Sequence, residues 1–193
     1  MAKRAKTPEV LVSVDGEFTG RIPGPHSMIA LGAVAYTHAG DEISRFKVHL
    51  EELPGASREE VTMEWWSKFP DMWKALTTDA VSPKDGMLQF ANWLDTLPGP
   101  PKLLGWPLPI DFTFLYWYYV AFVGDPPFGH DGIDIKTYAM AVMKAATFGE
   151  VSRTNVCKAL GVPNTPHSHD PVDDAAAQAE LFFRLKKFAD ARL

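Results

Sequence analysis

Asp15 and Glu17 stand two residues apart in Val14-Asp15-Gly16-Glu17-Phe18-Thr19-Gly20, at the end of an apolar, valine-rich stretch. On an extended chain both carboxylates leave the same face. Two acids on one face repel unless a cation lies between them, and oxygen donors of this kind suit Mg²⁺ or Mn²⁺. A solvated strand end before a turn would show the same Asp-x-Glu with no chemistry attached. Asp111 opens the aromatic run DFTFLYWYYVAFVG, where an acid serves equally well as a helix cap. His169 and Asp174 are five apart in HSHDPVDDA, at the entrance to the final helical segment. That spacing sets an imidazole beside a carboxylate across a loop-to-helix boundary. The plainer reading makes Asp173 or Asp174 a cap and His169 a surface residue. His167-x-His169 also spells a zinc pair, but no third histidine is spaced to complete it.

These groups must be carried by elements that the pattern of apolar residues outlines. EVLVSVD reads as a buried strand, MIALGAVAYT as a second, and the alternating ISRFKVHL as a third with one exposed face. THAGD joins the last two as a hairpin connection, so the three form an antiparallel meander. After LPGA the period turns helical, first in VTMEWWSKFPDMWKAL and then in SPKDGMLQFANWLDTL, where Ser82 is the expected N-cap ahead of Pro83. PKLLGW reads as a fourth strand and DFTFLYWYYVAFVG as a core helix. GIDI reads as a fifth strand, leading into the helix IKTYAMAVMKAAT. A short helix follows around SRTNVCKALG, and the last runs from about Val172 to Ala191. Strands first, then alternating strands and helices, give one mixed α/β domain.

Composition narrows the function classes. With 46% hydrophobic and 22% charged residues, the 193-residue chain is that of an ordinary globular domain, long enough for a real core. No apolar run approaches a membrane span. MAKRAKTPEV is basic but lacks the apolar stretch of a secretion signal. Residues 1–8 are therefore expected to be a disordered basic lead-in, and a cytoplasmic location is the default expectation. Cys157 is the lone cysteine, which excludes a disulfide framework and points to a buried structural thiol. A net charge of −5 argues against coating nucleic acid by bulk electrostatics. It leaves open an enzyme whose excess acid holds divalent ions, since these reverse the local sign.

In order along the chain, VDGEFTG, DFTFL and HDPVDDA resemble the three motifs of the DEDD 3′→5′ exonuclease family, histidine subtype. The first is similar to the Asp-x-Glu-x-Thr-Gly of oligoribonucleases. Thr62-Met63-Glu64-Trp65-Trp66 resembles a Thr-x-x-Trp-Trp signature found in a branch of phage exonucleases and bacterial exoribonucleases. The chain departs from many relatives by having Trp106-Pro107-Leu108-Pro109 where they carry an asparagine before the second motif.

The resemblance implies an RNase H-like fold over residues 9–193, a five-stranded mixed sheet flanked by helices in a single domain. It implies that Asp15, Glu17, Asp111 and Asp174 hold two divalent cations, Mg²⁺ or Mn²⁺, and that His169 takes the proton of the attacking water. Phe18, Thr19, Trp65 and Trp66 are the implied substrate contacts, with one tryptophan expected in the core and the other facing the cleft. The partner is the 3′ end of single-stranded RNA or DNA, RNA slightly favoured. A homodimer is compatible with the aromatic excess, as in stand-alone relatives. Asp134 is expected to be structural. A binding module that had lost catalysis would lack one of the five site residues, and all five are present.

Overall fold

The computed structural model describes residues 8–191; all but Pro8 of the expected lead-in lies outside them. The element order is β1 (Val10–Phe18), β2 (Met28–Tyr36), β3 (Glu42–His49), α1 (Glu60–Trp66), α2 (Pro70–Thr77), α3 (Pro83–Asp95), β4 (Pro101–Gly105), α4 (Leu108–Phe122), β5 (Gly132–Asp134), α5 (Ile135–Met143), α6 (Arg153–Leu160) and α7 (Pro171–Asp190). The strands form one sheet in the order β3-β2-β1-β4-β5. β1 pairs antiparallel with β2 and parallel with β4, so the meander and the five-stranded mixed sheet are both as expected.

Alternation along β1 assigns its two faces. Val10, Val12 and Val14 join a core with Phe90 of α3 and Phe114, Leu115 and Tyr118 of α4. Leu11 points the other way, into a core with Ile135 of α5, Val156 and Cys157 of α6 and Ala175 and Ala179 of α7. Period two then carries Ser13, Asp15 and Glu17 to the α7 side. The hydrophobic driving force is thus spent on both faces of a central strand, and its far end is left to polar groups.

Two local features bring α7 close to that end. Its inner stripe is small, with Ala175 and Ala179 fully buried. Gly32, which pairs with Asp15 across the β1–β2 ladder, faces the backbone of Pro171: a Cβ there would lie 2.2 Å from the Pro171 carbonyl carbon. A side chain at residue 32 would push the first turn of α7 off the sheet.

The helical segment between residues 61 and 76 is two helices. α1 ends at Trp66 and α2 begins at Pro70. Proline lacks the N–H a continuing helix would need but fits a first turn. The expected cap at Ser82 is present, its side chain accepting from Asp85 N. Cys157 is buried in the α6–α7 core. Among the described residues no helix is long and apolar enough to cross a membrane.

Candidate active site

The C-terminal half of β1 presents Asp15 and Glu17 at the sheet's edge. Gly16 between them donates its amide to Asp111 Oδ1 at 2.9 Å. Asp111 is therefore not a cap. It is the fourth residue of α4, 8% exposed, and reaches across to β1. Asp174 comes from the first turn of α7 and is 4% exposed. Its carboxylate accepts from the amides of Ser168 at 2.9 Å and His169 at 2.8 Å, and from Ser168 Oγ at 3.2 Å. Capping of α7 falls to Asp170, which accepts from Val172 N and Asp173 N. The plainer reading, in which Asp173 or Asp174 caps the helix, does not hold, and the Asp174 carboxylate faces the site.

His169 sits with φ at +59°, a left-handed conformation that costs a non-glycine residue about 1 kcal/mol or more. The hydrogen bond from its amide to Asp174 holds it there. Its ring is boxed by Trp65 and Phe69, with centroids 4.9 and 4.8 Å away, and Nδ1 lies 3.9 Å from Glu17 Oε1. Donor atoms of Glu17, His169 and Asp174 all fall within 4.8 Å of one another, close enough to share a cation. The zinc pair is not formed from the two histidines: His167 turns to Arg153 and Asp174 instead, its Nδ1 3.5 Å from Asp174 Oδ2.

The electrostatics show what this arrangement lacks. Burial, then the charges of Asp111, Glu17 and Asp174, raise Asp15 well above the carboxylate range, and Arg153 only partly offsets them. Glu17 is pushed up to about 8 by burial and by Asp174, Asp111 and Asp170. Burial lifts Asp111 to about 7 against the bond from Gly16. Burial also raises Asp174, but His167 and the amides of Ser168 and His169 outweigh it and hold this acid below its ordinary value. Burial depresses His169, favouring neutral imidazole; Asp174 opposes that effect and His167 adds to it. Four acids gathered with so little cationic compensation fit divalent cations, whose charge removes the repulsion and whose preference is for oxygen.

The expected substrate contacts divide. Phe18 is partly exposed and lies against Phe114, centroids 4.1 Å apart. Trp65 is 36% exposed beside His169. Thr19 and Trp66 turn inward, both side chains buried and internally paired, so Trp66 is the tryptophan of the core and Trp65 the one beside the site. Thr19 Oγ1 accepts from Ser27 N at 2.8 Å, and Trp66 Nε1 donates to Phe18 O at 3.0 Å. They brace the strand end that carries Phe18. Asp134 is structural, capping α5 through Thr137 N and accepting from Leu108 N.

Gln178 escaped the sequence reading. Buried on α7, it donates to Val14 O and accepts from Trp106 N, both at 2.6 Å, so it ties the ends of β1 and β4 beneath the acids. Its place four residues after Asp174, on the same helical face, was the available signal.

The RNase_T exonuclease family model matches residues 12–182. The 3′-5′ DNA exonuclease Cap18 of Escherichia coli is 30% identical over 189 residues, 95% of each chain. Among solved structures, the nuclease domain of 3′hExo, a DEDDh family member bound to rAMP, superposes with a TM-score of 0.71 at 15% identity, over 96% of this chain and 94% of that one. S. pombe Pop2p in its Mg²⁺- and Mn²⁺-bound form gives 0.67 at 14%, over 92% and 82%. E. coli Exonuclease I in complex with a dA16 oligonucleotide gives 0.69 at 12%, over 95% of this chain and 42% of that one.

Proposed function

The chain belongs to the RNase_T exonuclease family and is a 3′→5′ exonuclease of RNase H-like fold that works with two divalent cations, and from that premise we propose that it removes nucleoside 5′-monophosphates from the 3′ end of single-stranded DNA. The observation that carries the site assignment is the convergence of Asp15, Glu17, Asp111 and Asp174 with His169 at one end of β1.

In this reading the four carboxylates hold the cations. When bound, these lower the pKa of water and stabilise the oxygen leaving phosphorus. His169 accepts the proton of the attacking water, a role suited to a ring kept neutral by burial. The proton it gains is held beside Glu17 and Asp174. Trp65 and Phe18 line the approach, and stacking on a base contributes about 1–3 kcal/mol. Water adds at phosphorus, the P–O3′ bond breaks, and the departing O3′ takes up a proton from solvent, so the shortened strand keeps a 3′ hydroxyl.

DNA is placed first because the relative that matches nearly end to end is a DNA exonuclease. RNA is the second reading, favoured by the Asp-x-Glu-x-Thr-Gly of the first motif. The deciding assay incubates 5′-labelled single-stranded DNA and RNA of matched sequence in Mg²⁺, Mn²⁺ or EDTA. A metal-dependent ladder, faster on DNA, supports the first reading; a faster ladder on RNA installs the second. Intact strands in every buffer would overturn both.

A further inference from the structure

His169 and Asp174 depend on residues 161–170, a stretch without regular secondary structure. Such a segment has many alternatives open to it, yet it must hold an imidazole in a left-handed conformation over the acids. Two side-chain cations reach it, one at each end of the turn that carries His169. Lys47 of β3 places Nζ 2.5 Å from Asp170 Oδ2, and Asp170 is also the cap of α7. Arg153, the first residue of α6, places Nη1 3.2 Å from His167 Nε2. A guanidinium only donates, so His167 Nε2 carries the lone pair and Nδ1–H faces Asp174 Oδ2. Arg153 Nε is buried without a partner, a cost met by a residue that touches no acid of the site yet offsets the charge of Asp15.

We propose that Lys47 and Arg153 are positioning residues for the hydrolysis, clamping the His167–Asp170 segment at its two ends so that His169 and Asp174 keep their geometry. The inference rests on the exonuclease reading above. Lys47 reaches the segment through Asp170, Arg153 reaches it through His167, and the two arms share no atom. Their common object is the segment itself, which predicts coupling between residues that do not meet.

The experiment measures kcat and KM on a 5′-labelled single-stranded oligonucleotide in saturating Mn²⁺ for wild type, Lys47→Met, Arg153→Met and the double variant. A misplacement near 1 Å costs about 100-fold in rate, so each single variant is expected to lose about 30-fold in kcat with KM within about twofold. The double variant is expected to lose about 100-fold, well short of the roughly 1000-fold product that independent sites would give. Lys47→Arg and Arg153→Lys, which keep the charge, are expected to recover part of the loss. Should Arg153→Met not fold by circular dichroism, His167→Ala at an exposed position breaks the same arm and replaces it. An unchanged kcat in either single variant, a loss confined to KM, or a double variant that reaches the product overturns the clamp. An inactive wild type fails the exonuclease reading itself, and the clamp with it.

Discussion

The amide of Gly16 and the carboxylate of Asp111, 95 residues apart in sequence, meet at 2.9 Å. The bond joins the first strand to the aromatic helix at the point where the acids converge. Asp111→Asn keeps an acceptor for Gly16 and removes a charge. It should leave the fold intact while lowering kcat by about 1000-fold, because carboxylates holding a metal pair act as a unit. Circular dichroism and a ladder assay on one preparation check both halves.

Stability of the metal-free protein should fall as pH rises. Glu17 and Asp111 are raised in the fold, to about 8 and about 7, from unfolded values near 4. Between those limits the native state binds more protons than the unfolded one, so the slope of stability against pH is negative. The contribution is present in full below about pH 4 and is lost as pH climbs through 7 and 8. Thermal melts in EDTA from pH 5 to 9 should decline by a few kcal/mol in equivalent stability, and Mn²⁺ should restore the loss. A melting curve flat across this range would contradict the charge arrangement described.

Gly32→Ala should be among the most damaging single changes available outside the acids. The new Cβ would sit 2.2 Å from the Pro171 carbonyl carbon, with the backbone and not a flexible side-chain tip in its way. Overpacking of this kind costs about 1–3 kcal/mol or more. The shift falls on the turn that carries Asp174, so chemical denaturation and activity should decline together.

The adjacent tryptophans should separate cleanly. Trp66→Ala removes a buried ring and its bond to Phe18 O, costing about 3–5 kcal/mol. Trp65→Ala, one-third exposed, should cost little stability and should weaken activity on the strand by about tenfold or more, through lost stacking and a loosened His169. Denaturation midpoints and kinetics of the two variants make the comparison.

Gln178→Leu should cost about 2–3 kcal/mol, because it leaves the buried carbonyl of Val14 and the half-buried amide of Trp106 unpaired. Measured urea midpoints that match wild type would show that water replaces the amide.

Much of the fold was readable because hydrophobic period follows burial: β1 is apolar on both faces and β3 alternates, as a central and an edge strand must. Asp15 and Glu17 were readable for the same reason, since period two fixes which side chains share a face. What stayed hidden depends on contacts between distant elements. Nothing local distinguishes Asp111 as a cap from Asp111 bonded to Gly16. Thr19 and Trp66 turn inward to partners far along the chain or in another element, the amide of Ser27 and the carbonyl of Phe18. Gln178 and Arg153 earn their places only through partners in other layers.

The approach of Pro171 to Gly32 has a consequence for when the molecule can act. β1 supplies the first two acids, and α7, tied to it by a bond spanning 164 residues, supplies the last along with the turn that sets the histidine. Closing so long a loop is entropically late. With the site assigned as proposed, a partly folded chain lacks one wall of it altogether, and activity is expected only once the last helix has docked.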